Sequence, residues 1–500
     1  MPRRVIRVAP RHDEQVPEPI REGIEAAREE LGIEAGHGPA ALREAEESAA
    51  RGPRLPDPGE TPWRDLTDIE VVTIDPASST DLDQAVHVER RDKGFRVHYA
   101  IADVAAWVEP GGPLDAETRR RGQTFYAPHR RYSLHPTVLS ESAASLLDDG
   151  LARPAVLWTL DLDADGDLRS TAVERAMVRS RAKLSYEGVQ RDLDAGRAVE
   201  SLELLAVVGR LRQEREAERG GVSLDLPDQE VVVDEAGRWS LQMRHSLPVE
   251  GWNAQISLLT GMAAARIMAD GGVGLLRTLP PPSNQTVDTL RAVAGSLGVD
   301  WPEGASYAQV MSRVDTGTPA GMALASAGVM LFRGAGYTRI NGSTRVEGRG
   351  DAGELVHVAL AARYAHATAP LRRLVDRFVS ETCLHLVQGS AVPQWVLSGL
   401  DELPGLMADS DHRAHRFERR VVDLTEALVL ADRVGDELSG VVVSADEKGD
   451  SGRVVIDEPA VDAAVHRDGA GPALTAGTRI RVKVEGADTT AGKVDLTVQP

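Results

Sequence analysis

The stretch Thr73–Ala85, TIDPASSTDLDQA, sets three carboxylates, Asp75, Asp81 and Asp83, within nine residues. The largely apolar run 69–74 ahead of it predicts a short buried strand. Pro76 and the small hydroxyl residues after it cannot prolong that strand, so Asp75 stands at a strand end and the other two acids lie on the loop beyond it. Acids this close repel one another, and a divalent cation that accepts hard oxygen ligands is the ready way to hold them together. Taken alone, the same spelling also describes a solvated acidic turn.

Five further blocks of sequence decide between the two. HYAIADVAAWV at 98–108, RRGQTFYAP at 120–128, LHPTVLSESAASL at 134–146, RSRAKLSY at 179–186 and YAHATAPLRRLVD at 364–376 stand in order behind the acidic stretch. Together the six blocks resemble the ribonuclease II family, the RNB-domain exoribonucleases. The resemblance implies an α+β fold with a mixed-sheet catalytic domain under helical layers, placed at 63–435. A helical region with a proline-rich linker would precede it at 1–62, and a small all-β OB-like barrel would close the chain at 436–500.

It also implies a chemistry: magnesium-dependent 3′→5′ hydrolysis of single-stranded RNA to nucleoside 5′-monophosphates by a two-metal mechanism, with Mn2+ as a substitute ion. By the match, Asp75, Asp81 and Asp83 are carboxylates of the magnesium site, and Asp83 is the one most needed for catalysis. Gln84 stands where the family has a fourth aspartate and would be a neutral ligand. Arg372 matches a late arginine able to hold a phosphate in a two-point grip. Arg373 beside it belongs to a basic patch and is a candidate RNA contact. Tyr126 matches the tyrosine at the RNA 3′ end, and Tyr186 the one linked to preference for ribose. Leu226 and Gln255 fall where the family has a phenylalanine and a glutamate for the terminal nucleotide, and Ala369 and Leu374 replace a serine and a tyrosine. These departures leave a second reading open, a non-catalytic RNA-binding protein on a retained scaffold.

Composition bounds both readings. Five hundred residues exceed one ordinary domain, and 42% apolar with 27% charged content describes a soluble globular chain. No apolar run approaches membrane-spanning length, and the start MPRRVIRVAPRHDE lacks the apolar centre of a signal peptide. The single cysteine, Cys383, excludes an internal disulfide and fits a reducing cytoplasm. No obligate protein partner is indicated. A net charge of −20 is the wrong sign for gripping polyphosphate over the whole surface, so RNA needs local basic patches. Candidates are Arg119, Arg120, Arg121, Arg130 and Arg131, then Arg363, Arg372, Arg373 and Arg377, then Arg413, Arg416, Arg419 and Arg420. Each cluster could equally be a solvated helix face.

Along the chain, a basic strand-like RRVIRV precedes a helix that Pro19 starts and Gly32 ends, then a helix at 39–51. About sixty helical residues cannot supply the two cold-shock barrels usual in the family. Strands are expected at 95–102 and 155–162, with a hairpin turn at 164–167. Acids at Asp161, Asp163 and Asp165 imitate a calcium loop, but its twelfth position is Ala172, which cannot close one. From about 190 to 440 the pattern is mostly helical: 200–219, 251–269, 284–297, 319–331, 370–388 and 412–434. The valine-rich 437–500 reads as a barrel without Phe, Tyr or Trp, either a weak RNA binder or a packing module.

Overall fold

Two long strands, Gly94–Ala102 and Arg153–Asp163, pair antiparallel from Gly94 opposite Asp163 to Ala102 opposite Ala155. The computed structural model describes residues 4–5, 17–56, 62–224, 226–233, 239–342, 355–468 and 471–499. Around the pair lies a five-stranded sheet in the order Arg64–Asp65, Leu168–Val178, Arg153–Asp163, Gly94–Ala102, Gln84–Arg91. Only the first of these pairings is parallel. Period-two alternation assigns the side chains to two faces. Val86, Val88, Val97, Tyr99, Ile101, Trp158 and Leu160 enter one core, which helices Glu200–Arg219, Pro248–Gly271 and Leu374–Gln388 complete. Ala85, Ala100, Ala102, Ala155 and Leu157 enter another, whose smaller side chains pack with helix Pro39–Arg51 and Trp107. The chain at Gly94 runs so close to the neighbouring strand that a Cβ there would lie 2.0 Å from the Leu162 carbonyl oxygen.

The fold is therefore α+β, as expected, and it gives the two N-terminal helices a task. Ile20, Ile24 and Ala27 of Glu18–Glu30 share a core with Phe417, Val421 and Leu424 of the long helix Gln394–Ala431. The approach is close enough that a Cβ on Gly23 would meet Leu424 Cδ2 at 2.7 Å. Of RRVIRV, Arg4–Val5 form a strand parallel to Asp228–Val233, and the rest lies outside the described residues.

At the other end, Glu437–Ala445, Ser451–Ile456, Asp462–His466, Lys493–Val498 and Arg479–Asp488 close into a barrel in that order. Its valine core is extended by Val231, Leu241 and Trp239 from the antiparallel pair Asp228–Val233 and Trp239–Arg244. A buried polar knot fixes the junction: Glu426 Oε1 accepts hydrogen bonds from Gln229 Nε2 at 2.7 Å and from the Asp462 backbone N–H at 3.0 Å. Long helix, hairpin and barrel are thereby joined at one carboxylate.

Several elements depart from the sequence reading. Asp228–Val233 and Trp239–Arg244 are strands, as are Gly274–Thr278 and Gly336–Ile340, within a region expected to be mostly helical. The helix expected at 412–434 is the end of Gln394–Ala431, which carries Pro404 inside it. The helix expected from Pro370 starts at Leu374, because the backbone before it is bent into turns and ties. The glycine-rich 341–353 falls almost wholly outside the described residues, as does part of the proline-rich linker. Among the described residues no helix is long and apolar enough to cross a membrane.

The segment ahead of Leu374 leans on helix Pro248–Gly271 at one glycine. Ala365 N–H donates to the Gly261 carbonyl at 3.1 Å, and a Cβ on Gly261 would fall 2.5 Å from the Ala365 oxygen and 2.2 Å from the Tyr364 ring. Gly261→Ala is accordingly expected to lower stability by about 1–3 kcal/mol through overpacking. A urea unfolding midpoint equal to the parent's would show that the segment yields without strain.

Candidate active site

Strand Thr73–Asp75 pairs in parallel with Lys183–Ser185, which sets Asp75 opposite Ser185. Ser185 then caps helix Tyr186–Asp194, its hydroxyl accepting from Gly188 N–H, so the first residue of that helix, Tyr186, stands beside Asp75. After Asp75 the chain turns at Pro76, with Ser79 N–H donating to the Pro76 carbonyl at 2.9 Å. The Ser145 hydroxyl clamps the loop by donating to the Thr80 carbonyl at 2.8 Å and accepting from Leu82 N–H at 2.9 Å.

Asp83 is buried, 4% exposed, and its Oδ1 accepts from the Leu371 backbone N–H at 2.7 Å. The Arg372 Nε stands 3.4 Å from its other oxygen. Arg372 is held by its main chain: its carbonyl accepts from Thr124 N–H at 3.1 Å, and Leu374 N–H donates to the Gly122 carbonyl at 3.0 Å. Its side chain is 49% exposed, so the guanidinium is located by the backbone while still open to a ligand.

Asp75, Asp83, Arg372, Tyr126 and Tyr186 act on one another electrostatically. Burial raises the Asp75 carboxyl to about 6, against the pull of Arg372 and with a push from Asp81. Burial carries Asp83 well above the ordinary carboxylate range. It lifts Tyr186 to about 12, with Asp75 adding to the effect, and raises Tyr126 beside Asp81 and Asp83. The protein packed around the Arg372 head group opposes its charge even though 49% of the side chain is exposed, yet Tyr126, Asp83, Asp81 and Asp75 together hold its proton above the usual guanidinium range. Both tyrosines therefore act as hydrogen-bonding hydroxyls, and Tyr186 already accepts from Asn253 Nδ2 at 3.4 Å.

Among the described residues no three His, Cys, Asp or Glu side chains are grouped closely enough to hold a metal ion between them. Asp81 is turned onto Arg131, with which it forms an ion pair, and Asp83 onto Leu371 N–H. The donor set nevertheless fits a hard divalent cation: desolvated carboxylate oxygens on neighbouring segments, disfavoured in their ionised form by burial and mutual repulsion.

Gln84 and Arg373 stand differently from expectation. Adjacent residues of extended chain point to opposite sides, so half-buried Gln84 is directed away from buried Asp83. Its Nε2 donates to the Thr368 carbonyl at 2.6 Å and its Oε1 accepts from the Tyr99 hydroxyl at 2.9 Å. Thr368 in turn shares a 2.7 Å hydroxyl contact with Ser257. In this geometry both ends of the Gln84 amide are taken up in bracing the strand against the arginine segment. Arg373 grips Asp376 with two bonds of 3.0 and 2.8 Å, and Asp376 also accepts from Ala369 N–H, so the guanidinium expected on RNA closes a turn.

The same holds for most of the basic clusters. Arg119 binds Asp115 and Glu402, Arg121 binds Glu117, Arg377 binds Asp115, and Arg416 binds Glu30. Arg413 donates to the carbonyls of Arg120 and Arg121, and Arg420 to that of Ala491. Of the two positions where the terminal nucleotide was expected to be held, Gln255 is buried against Glu216 and Leu226 packs on a helical cluster around Leu290 and Leu324. Glu250, one turn earlier, is held by Arg244 through bonds of 2.6 and 3.0 Å. A group that the sequence did not reveal joins Tyr337 to His366 at 2.7 Å, with Arg277 over the Tyr337 ring and paired to Asp411. Its one visible signal was the histidine inside the YAHATAPLRR block.

Comparison with known proteins gives this geometry a lineage. Residues 63–389 match the RNB domain, and 436–499 match the RNase II-type exonuclease C-terminal S1 domain. Ribonuclease R of Escherichia coli (strain K12) is 26% identical over 480 residues, covering 87% of this chain and 57% of its own length. The chain thus spans little more than half of that relative. Mycoplasma genitalium RNase R has the same fold in its apo form and bound to ribose-methylated single-stranded RNA, each with TM-score 0.83, 19% identity and coverage of 99% of this chain and 85% of the other. Yeast Ssd1, described as a pseudonuclease, superposes with TM-score 0.69 at 17% identity, over 89% of this chain and 55% of its own. With its RNB match running over most of its length and laid on this sheet and these acids, the chain belongs to the RNB-domain family.

Proposed function

We propose that the chain is a 3′→5′ exoribonuclease that hydrolyses single-stranded RNA to nucleoside 5′-monophosphates, with Mg2+, or Mn2+ in its place, at Asp75, Asp81 and Asp83. The observation that supports this reading is the meeting of Asp83 and Arg372 at 3.4 Å, a buried acid beside a half-exposed guanidinium in an RNB-family chain. A pure binding groove gains nothing from clustered anions facing phosphate. Divalent cations bound at these carboxylates, two in the proposed mechanism, supply a deprotonated water and charge to offset that developing on the phosphate.

The chain's own residues do the rest. Arg372, fixed through its backbone and open at its guanidinium, takes a phosphate oxygen. Tyr126 closes the groove at the 3′ end. The Tyr186 hydroxyl, protonated at any physiological pH, faces the ribose, where a 2′-OH contact separates RNA from DNA. Gln84 holds Thr368 and hence the arginine segment in register.

A second reading, an RNA-binding scaffold without turnover, is favoured by the pairing of Asp81 with Arg131 and by the engagement of the Gln84 amide with Thr368 and Tyr99. A labelled poly(A) oligomer incubated with Mg2+ and then with chelator separates the two. Mononucleotide release that stops on chelation supports the nuclease, and an intact oligomer bound by the protein supports the scaffold.

Asp83→Asn is expected to lower turnover at least about a hundredfold, a barrier change of about 2.7 kcal/mol, with RNA affinity equal or higher. A variant retaining a tenth of the parent rate would remove Asp83 from the centre. Arg372→Lys should keep the charge but lose the two-point grip, and a fall in kcat/KM below threefold would place the phosphate elsewhere. Gln84→Glu sets a carboxylate against the Thr368 carbonyl and leaves a buried acceptor without its donor. It is expected to cost about 1–3 kcal/mol in urea unfolding, whereas a ligand role predicts tighter metal binding with little change in stability.

A further inference from the structure

Asp81 already has a cation beside it. Arg131 forms an ion pair with it through Nη1, while Nη2 of the same guanidinium donates to the Thr80 hydroxyl at 3.0 Å. Both side chains are 14% exposed, so the pair is largely withdrawn from water and is screened less than a surface pair. Asp83 has Arg372 Nε 3.4 Å away, whereas among the described residues Asp75 has no ion pair: Lys183 and Arg372 act on it only at a distance, and Lys183 donates instead to the Ala77 carbonyl.

The backbones on the two sides of the pair are fixed independently of it. The Asp81 loop is clamped at Thr80 and Leu82 by Ser145. Arg131 sits in a two-residue strand whose register places it opposite Tyr126. Opening the pair therefore needs rotation of one long side chain and no movement of the loop, and the Thr80 hydroxyl gives the guanidinium a neighbouring place to stay bonded.

We propose that Arg131 is a resident counter-ion of Asp81 that an incoming divalent cation displaces, so that the cation competes with a side chain for its third carboxylate. The inference rests on the reading of Asp75, Asp81 and Asp83 as a cation site. A competing internal partner lowers apparent affinity by the fraction of molecules in which the carboxylate is free. With the pair closed in about nine molecules of ten, cation affinity falls about tenfold, and deleting the guanidinium restores it. The pair also answers the repulsion among three acids when no cation is present, because it neutralises one of them from within the chain.

The test uses the full chain without RNA, with Mn2+ binding followed by the electron paramagnetic resonance of the free ion. Arg131→Ala, and Arg131→Gln, which removes the charge but keeps a shorter polar side chain with an N–H donor, are expected to bind Mn2+ about tenfold more tightly than the parent. Arg130→Ala removes a charge from the next residue, whose guanidinium lies over Tyr132 and donates to the Ala35 carbonyl, and is expected to stay within twofold. Isotherms of both Arg131 variants that superimpose on the parent's, with binding abolished by Asp83→Asn, would overturn the exchange and leave the cation site standing. Equal tightening in Arg130→Ala would reduce the effect to a general field and overturn it as well. If neither parent nor Arg131 variants show Mn2+ binding that depends on Asp83, the cation-site reading fails and the exchange falls with it.

Discussion

A carboxylate at 4% exposure is the constraint around which this protein is arranged. Burying Asp83 in ionised form is costly unless something donates to it. The donor comes from Leu371 N–H, in a segment that must consequently be delivered to the edge of the sheet and kept there. Much of the surrounding structure is that delivery. Gln84 holds Thr368, Asp376 holds Ala369 and Arg373, Gly122 and Thr124 hold the backbone of Arg372 and Leu374, and Gly261 holds Ala365. Arg372 needs no side-chain support because its main chain has nowhere else to go.

The second organising fact is how a chain of net charge −20 distributes its cations. Arginines that sequence clustering suggests for phosphate are committed to acids and carbonyls within the fold, several of them buried on both sides, as Arg377 with Asp115 and Arg121 with Glu117 are. Removing one partner of such a pair strands a buried charge, which is why these arginines are structural whatever their spacing. Arg372, by contrast, stands beside a buried acid with about half of its side chain exposed.

Most of the regular structure was legible because it obeys local rules. The hairpin turn at 164–167, the strands either side of it and helix Glu200–Arg219 conform to period, propensity and turn chemistry. Strand Gly274–Thr278 was not, since its partner Gly336–Ile340 lies far along the chain and neither alternates clearly alone. The stretch 394–411 was not read as helical, yet helix Gln394–Ala431 runs through it and past Pro404, since packing on both sides outweighs one missing hydrogen bond. At the site, residue types were readable and partners were not. Gln84 looked like a substituted ligand because it comes directly after Asp83, and strand parity alone could have turned it to the opposite face. Arg131 looked like a phosphate contact because nothing in RRY says that Asp81 stands across from it.

The bond from Leu371 to Asp83 joins positions 288 residues apart. During synthesis at ordinary rates the acids leave the ribosome roughly 15–60 s before the segment that carries Leu371 and Arg372. Through that interval the first sheet strands can pair, but Asp83 has no donor and faces no guanidinium. The meeting of Asp83 with Leu371 and Arg372 therefore comes late in synthesis, followed by the docking of the long helix on Glu18–Glu30 and the closing of the barrel, so a chain cut short before position 371 carries the acids without the arginine.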